Sequence, residues 1–280
     1  MSPNSERCRS DGKNIFRIKV KMKNEFVFLY EFSKSLLFGV WGDFKEGIKS
    51  SRMTLPLIWL LSVGLAFQFD MPFYSFFLIK EGDFFHFLAE KISYWGDFPQ
   101  GTVPLSIGIY LLGLLFKKER IKEAAIGCFL SAFIAGCLVD LGRDVLGRPR
   151  PSADVKEAFK QLGYIPTPIV SFHRIHPGGS FVDGFYGIHW TAMFHGFPSG
   201  HAATSMATAS SFLRSLPLLG YLLLFCAVFV CWSRMALGRH YFSDIIAGGL
   251  LGFFAGLMFS RFQNRNTSTA LQKSKQEVKK

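Results

Sequence analysis

Three short stretches of this 280-residue chain hold side chains that could do chemistry together. SRMALGRHYFSD, residues 233–244, contains Arg234, His240 and Asp244. His240 and Asp244 are four apart and share one face of a helical turn. There Asp244 can accept a proton from one imidazole nitrogen and hold the tautomer that exposes the other as a nucleophile. RDVLGRPRP, residues 143–151, adds Arg143 and Arg150. With Arg234 these are planar, permanently charged forks suited to phosphate oxygens. PSGH, residues 198–201, puts Ser199, Gly200 and His201 at the start of a helical run. Free backbone N–H groups and the helix dipole favour an anion at such a position. The combination describes a site for a fixed anion with a nucleophile beside it.

The elements that must position these residues are membrane helices. An Arg or Asp at the centre of a membrane helix costs about 2.5–3.5 kcal/mol. Yet SRMALGRHYFSD stands between LPLLGYLLLFCAVFVCW and DIIAGGLLGFFAGLMF. The chain is 49% hydrophobic and 19% charged, where soluble domains carry about 25% charge and few long apolar runs. The expected fold is an all-α, polytopic membrane bundle of six transmembrane helices. The spans are read at 54–69, 103–116, 124–141, 200–213, 216–232 and 242–259. The fourth is rich in Ala, Ser and Thr, which suits a helix packed in the middle of the bundle.

Six spans put both basic ends and KKERIK, residues 117–122, on the cytoplasmic side, as the positive-inside rule requires. All three chemical stretches fall on the opposite, extracytoplasmic face. Arg143, Arg148, Arg150, Arg174, Arg234 and Arg239 break the charge rule there, as arginines kept to bind an anion would. The domain reading is a basic, amphipathic cytoplasmic segment at 1–50, a membrane domain at 51–262 and a basic tail at 263–280. FVFLYEFSKSLLFGVW within the first segment is compatible with a helix on the membrane surface or one packed on the bundle. The first fifty residues contain no apolar stretch of signal-peptide type, so the first span is expected to act as an uncleaved anchor.

The net charge of +12 follows topology and comes with no recognition motif, so a nucleic-acid partner is not expected. The five cysteines form no CxxC pair and read as small buried hydrophobes.

In order and spacing the three stretches resemble the type 2 phosphatidic acid phosphatases, a family of membrane lipid phosphatases. The family pattern is Lys, six residues, Arg-Pro; then Pro-Ser-Gly-His; then Ser-Arg, five residues, His, three residues, Asp. This chain has Arg143 in place of the lysine, then Arg150-Pro151, Pro198 to His201, and Ser233-Arg234, His240 and Asp244. The resemblance covers about 142–250 by motif. It implies that Arg143, Arg150, Arg234 and the Ser199–Gly200–His201 helix start hold the phosphoryl oxygens. It implies that His240 attacks phosphorus, that Asp244 orients it, and that His201 protonates the leaving oxygen and then activates water. It implies no metal and no cofactor. The implied substrate is a membrane lipid phosphate or diphosphate: phosphatidic acid, phosphatidylglycerol phosphate, undecaprenyl diphosphate or lipid A. The implied location is a bacterial inner membrane, with the site facing the periplasm.

Each stretch alone is short enough to arise by chance; their shared face and order make the site. Arg148 and Arg239 sit inside the stretches at no defined position, with phosphate, headgroup or helix-end carbonyls all open as partners. The 152–197 segment contains His173, His176, His189 and His195 at no standard metal spacing. Its many aromatics suit a loop folded over the site that shapes headgroup choice. The rival readings are a lipid-to-lipid phosphotransferase with the same site and a non-catalytic lipid or anion carrier. A vanadium haloperoxidase pocket is similar too, but the apolar spans argue against that soluble family.

Overall fold

The computed structural model describes residues 22–39, 41–42, 54–152, 163, 167–175 and 182–277. Residues 1–21 and 43–53 of the expected N-terminal segment lie outside that range, as do residues 176–181 with His176. The helices are α1 (22–39), α2 (Thr54–Ala66), α3 (Asp70–Phe77), α4 (Phe84–Trp95), α5 (Val103–Leu115), α6 (Glu119–Leu146), α7 (Gly200–Ser211), α8 (Pro217–Ala236) and α9 (Phe242–Glu277). Between α6 and α7 lie two strands, β1 (Val170–Ile175) and β2 (Val182–Phe185).

The protein is a multi-pass membrane helical bundle. Among the described residues, five helical stretches are long and apolar enough to cross a bilayer: Pro56–Phe77, Phe98–Leu115, Glu119–Leu146, Pro217–Ala236 and Phe242–Ser260. The first is longer than the sequence suggested. Helix α2 runs through a tight turn at Phe67–Phe69 directly into α3. Asp70 looks like a terminus in sequence but is fully buried with a cationic partner.

Helix α7, read as the fourth span, has only 12 residues, about 18 Å of helix against a core of about 30 Å. It does not need lipid length, because protein surrounds it. Ala202, Ala203, Ala207 and Ala209 are all fully buried. Gly248, Gly252 and Gly256 of α9 make a stripe at every fourth residue. A Cβ on each would stand 2.2 Å from Ser199 O, 2.0 Å from Ala203 O and 2.1 Å from Ser210 Oγ. Small residues on both helices let the backbones touch, and in a bilayer such close packing replaces the hydrophobic effect as the adhesive.

Helices α6, α7, α8 and α9 alternate in direction, so one end of the bundle collects the C-termini of α6 and α8 and the N-termini of α7 and α9. The other end holds KKERIK, where Arg120 donates to Arg214 O (3.0 Å). Helix α1 packs on the bundle here. Leu36 is buried against Ile126 and Phe259, and Glu25 pairs with the buried Lys122 (3.0 Å). Packing on the bundle, one of the two placements open in sequence, is the one adopted.

At the site end, Gly147 closes α6 with a left-handed φ of 54°. A Cβ there would meet Gly187 O at 2.1 Å, so glycine both permits the turn and admits the passing chain. The strands β1 and β2 form an antiparallel hairpin with an irregularity between Ser171 and Arg174. That break in alternation hides the strands from a periodicity reading. Phe172 and Phe185 of the hairpin pack with Phe67 and with Phe197, next to PSGH. The hairpin is thus anchored over the ends of the helices that hold the site.

Candidate active site

Each anion-binding side chain comes from a helix end or the turn beside it. Arg143 stands in the last turn of α6, which Gly147 terminates. Its Nε donates to Pro198 O (2.9 Å) and one terminal nitrogen to Asp140 (3.1 Å). The guanidinium lies over Gly200, whose absent Cβ would fall 2.8 Å from it. Arg143 is therefore laid across the N-terminus of α7 by the chain that makes that terminus. Ser199 is the N-cap of α7; its Oγ accepts from the Ala202 N–H at 3.5 Å, a long contact. Arg234, in the last turn of α8, donates to Ser93 Oγ of α4 (2.6 Å). Arg150 is tethered through its backbone N–H to Met193 O (2.9 Å).

These arginines meet. Arg143, Arg150, Arg234, Gly200 and His201 line one cavity of about 460 Å³, with Asp97, Asp140 and Phe98 among the other walls. Burial, then the neighbouring guanidiniums of Arg143 and Arg239, lowers Arg150 to about 10. Crowding of like charge in a dry pocket is a standing demand for an anion. A phosphate dianion meets that demand with oxygens for several forks at once.

Ser199, His240 and Asp244 are not on that lining but adjoin it. Ser199 precedes Gly200, and its N–H donates to Asp244 O (2.9 Å), joining the PSGH turn to α9. The His240 N–H donates to Arg234 O (3.3 Å). His240 is 1% exposed. Its Nδ1 lies 2.7 Å from Gly196 O; a carbonyl only accepts, so Nδ1 carries the proton and Nε2 the lone pair. Nε2 has no hydrogen-bond partner among the described residues. Burial first, then Arg234, Arg143 and Arg150, hold this imidazole well below its ordinary range. The ring is a neutral base with one nitrogen tied and the other available.

The group that ties it differs from the expectation. Asp244 stands 3.7 Å from His240 Nδ1, beyond hydrogen-bond distance. Its Oδ2 instead accepts the Tyr241 N–H (2.7 Å), and its Oδ1 pairs with Arg148 (2.5 Å). The tautomer-setting bond belongs to Gly196, which the sequence reading did not single out. A Cβ on Gly196 would meet Arg148 O at 2.7 Å and Pro149 O at 2.9 Å. The readable signal was a glycine just ahead of PSGH in HGFPSGH.

Arg148, left open in sequence, is fully buried beside Asp70, Asp183 and Asp244. Of the loop histidines, His195 approaches Asp144 (3.2 Å) and His189 stacks on Phe194. Neither lines the cavity.

Residues 124–268, just over half of the chain, match the PAP2 superfamily. Over 182 residues the chain is 28% identical to a lipid A 1-phosphatase of Rhizobium etli and 27% identical to one of Rhizobium johnstonii. Those matches cover 61% of this chain and 68% and 65% of the two relatives, about two thirds of their length. The crystal structure of Aquifex aeolicus LpxE superposes on 69% of this chain and 94% of that one, with a TM-score of 0.42 and 15% identity. The family match spans the C-terminus of α6, the PSGH turn and the His240–Asp244 turn, and this chain belongs to the PAP2 superfamily.

Proposed function

We propose that this protein is an integral membrane lipid phosphatase that works through a phosphohistidine. The observation that carries the reading is the convergence of Arg143, Arg150, Arg234 and His201 on one cavity, beside the neutral imidazole of His240.

In this reading the arginines and the α7 N-terminus clamp the phosphoryl oxygens and neutralise their charge. His240 Nε2 attacks phosphorus and the bond to the lipid oxygen breaks. Burial and the arginines hold His201 neutral before substrate binds. With the arriving phosphate dianion offsetting those charges it takes up a proton, and it gives that proton to the leaving oxygen. Water, deprotonated by His201, then attacks phosphorus, the P–N bond breaks, and inorganic phosphate leaves. Nδ1 keeps its proton throughout and donates it in a hydrogen bond to Gly196 O, which stabilises the cationic phosphohistidine.

Lipid A is the first substrate to test, since two relatives carry that activity in their names. The site is assigned to the periplasmic face of a bacterial inner membrane. The support is that KKERIK and the docked helix α1 occupy the opposite end, where the positive-inside rule wants basic loops. Residues 51–262 are the phosphatase domain; 1–50 and 263–280 are its cytoplasmic extensions. The 152–197 segment, whose hairpin packs over the helix ends, shapes headgroup choice.

The test is phosphate release by purified protein in detergent with EDTA, across lipid A, phosphatidic acid, phosphatidylglycerol phosphate and undecaprenyl diphosphate. Release from one lipid, lost in His240→Ala, supports the reading. No release from any lipid, with phosphate moving between paired donor and acceptor lipids, would replace it with the phosphotransferase.

A further inference from the structure

Arg148 uses its whole side chain on protein. A guanidinium has five N–H donors. Nε donates to Asp183 (3.0 Å). One terminal nitrogen donates to Ser243 Oγ (2.7 Å) and Asp244 Oδ1 (2.5 Å). The other donates to Asp70 (2.8 Å) and to the second oxygen of Asp183 (2.7 Å). Phe67, Phe172 and Tyr241 present ring faces within 4.9, 5.3 and 4.5 Å of the guanidinium carbon. Nothing is left to bind phosphate, and no solvent reaches the group.

Its partners come from separate parts of the chain: Asp70 from α3, Asp183 from the hairpin, Ser243 and Asp244 from the first turn of α9. Asp70 also accepts from the Ser243 N–H and Oγ (2.7 Å each). Two chains of bonds lead from Arg148 to the histidine. The side chain fixes Asp244, which holds the Tyr241 N–H beside His240. The Arg148 carbonyl accepts from Gly196 N–H (2.8 Å), and the Gly196 carbonyl receives His240 Nδ1.

We infer that Arg148 is the positioning residue of His240 and that Asp183 makes this positioning depend on the docked hairpin. The inference rests on His240 being the nucleophile. The other charged groups facing His240 are Arg143, Arg150 and Arg234, and the variants below leave them in place.

The experiment compares wild type, His240→Ala, Arg148→Lys, Arg148→Met and Asp183→Asn, purified in detergent and checked for monodispersity and thermal midpoint. Activity on the lipid phosphate that the wild type hydrolyses is resolved into kcat and KM across pH. Arg148→Lys keeps the charge but satisfies fewer carboxylates; its kcat should fall about tenfold or more, with KM within about threefold. Asp183→Asn should fall in the same sense by a smaller factor.

Arg148→Met strips the cation entirely and serves as the severe case if it folds. Folded Arg148→Lys and Asp183→Asn with wild-type kcat would overturn the inference and leave Arg148 a purely structural ion. A raised KM at unchanged kcat would also overturn it, by making Arg148 a substrate-binding group. An inactive wild type would instead strike the phosphatase reading itself, so the two failures are distinguishable.

Discussion

At the scale of single residues, the site divides into groups that face the cavity and groups that hold them. Arg143 belongs to both. Arg143→Lys retains a charge and loses the Nε bond to Pro198 O. Its kcat/KM should stay within about tenfold of wild type, whereas Arg143→Ala should lose about a hundredfold, the value of a charge-assisted contact. Steady-state kinetics on the hydrolysed lipid decides this. His240 makes a prediction about pH. Its folded value is depressed well below the ordinary histidine range, so the imidazole is unprotonated above that value and competent at neutral pH. The acid limb of kcat/KM should therefore lie well below the usual histidine value of about 6.5. A limb centred on the ordinary value would mean that His240 is not buried as described, or not the nucleophile.

Which residues were legible follows from how far apart their partners sit. His240, Asp244, His201 and the three cavity-lining arginines lie in short stretches with recognisable spacing. Arg148 does not, because what gives it meaning is 78 residues away in Asp70, 35 in Asp183 and 96 in Asp244. No local pattern announces such a set. Gly196 was hidden for a related reason, since its function resides in a carbonyl that every residue type carries. Asp244 was visible as a partner of His240, but its two oxygens were already committed to Arg148 and Tyr241.

At the scale of elements, helix boundaries in the sequence followed the apolar runs well where lipid is the neighbour. They strayed where protein is. The first span was cut short at a buried Asp70, and the bulged hairpin has no clean alternation. The contact of α7 with α9 yields a paired prediction. Gly252→Ala puts a Cβ 2.0 Å from Ala203 O, while at Gly249 the nearest atom is Met206 Cγ at 3.8 Å. Gly252→Ala should destabilise by about 1–3 kcal/mol, the usual cost of overpacking, and displace the N-terminus of α7 from Arg143. Gly249→Ala should be close to neutral. Thermal unfolding in detergent, with activity measured alongside, tests the pair.

At the scale of the whole molecule, charge is sorted to the two ends for different reasons. One end carries basic loops that topology places. The other carries Arg143, Arg150 and Arg234 around one cavity and Arg148 among three buried carboxylates. The proposed orientation is tested by labelling intact cells in a cysteine-free background. A cysteine at Lys80 or Glu81, exposed at the site end, should react with an impermeant maleimide from the periplasm. One at Lys117 should react only after the inner membrane is opened.

The most direct test of the central claim is to look for phosphate on His240. Protein is mixed with substrate carrying a radiolabelled phosphate, quenched in alkali, where phosphohistidine survives, and separated from lipid. Label should remain on the wild type, accumulate in His201→Ala because hydrolysis of the intermediate is slowed, and be absent from His240→Ala. Substrate turnover with no label on the protein at any time, or label retained by His240→Ala, would contradict the account.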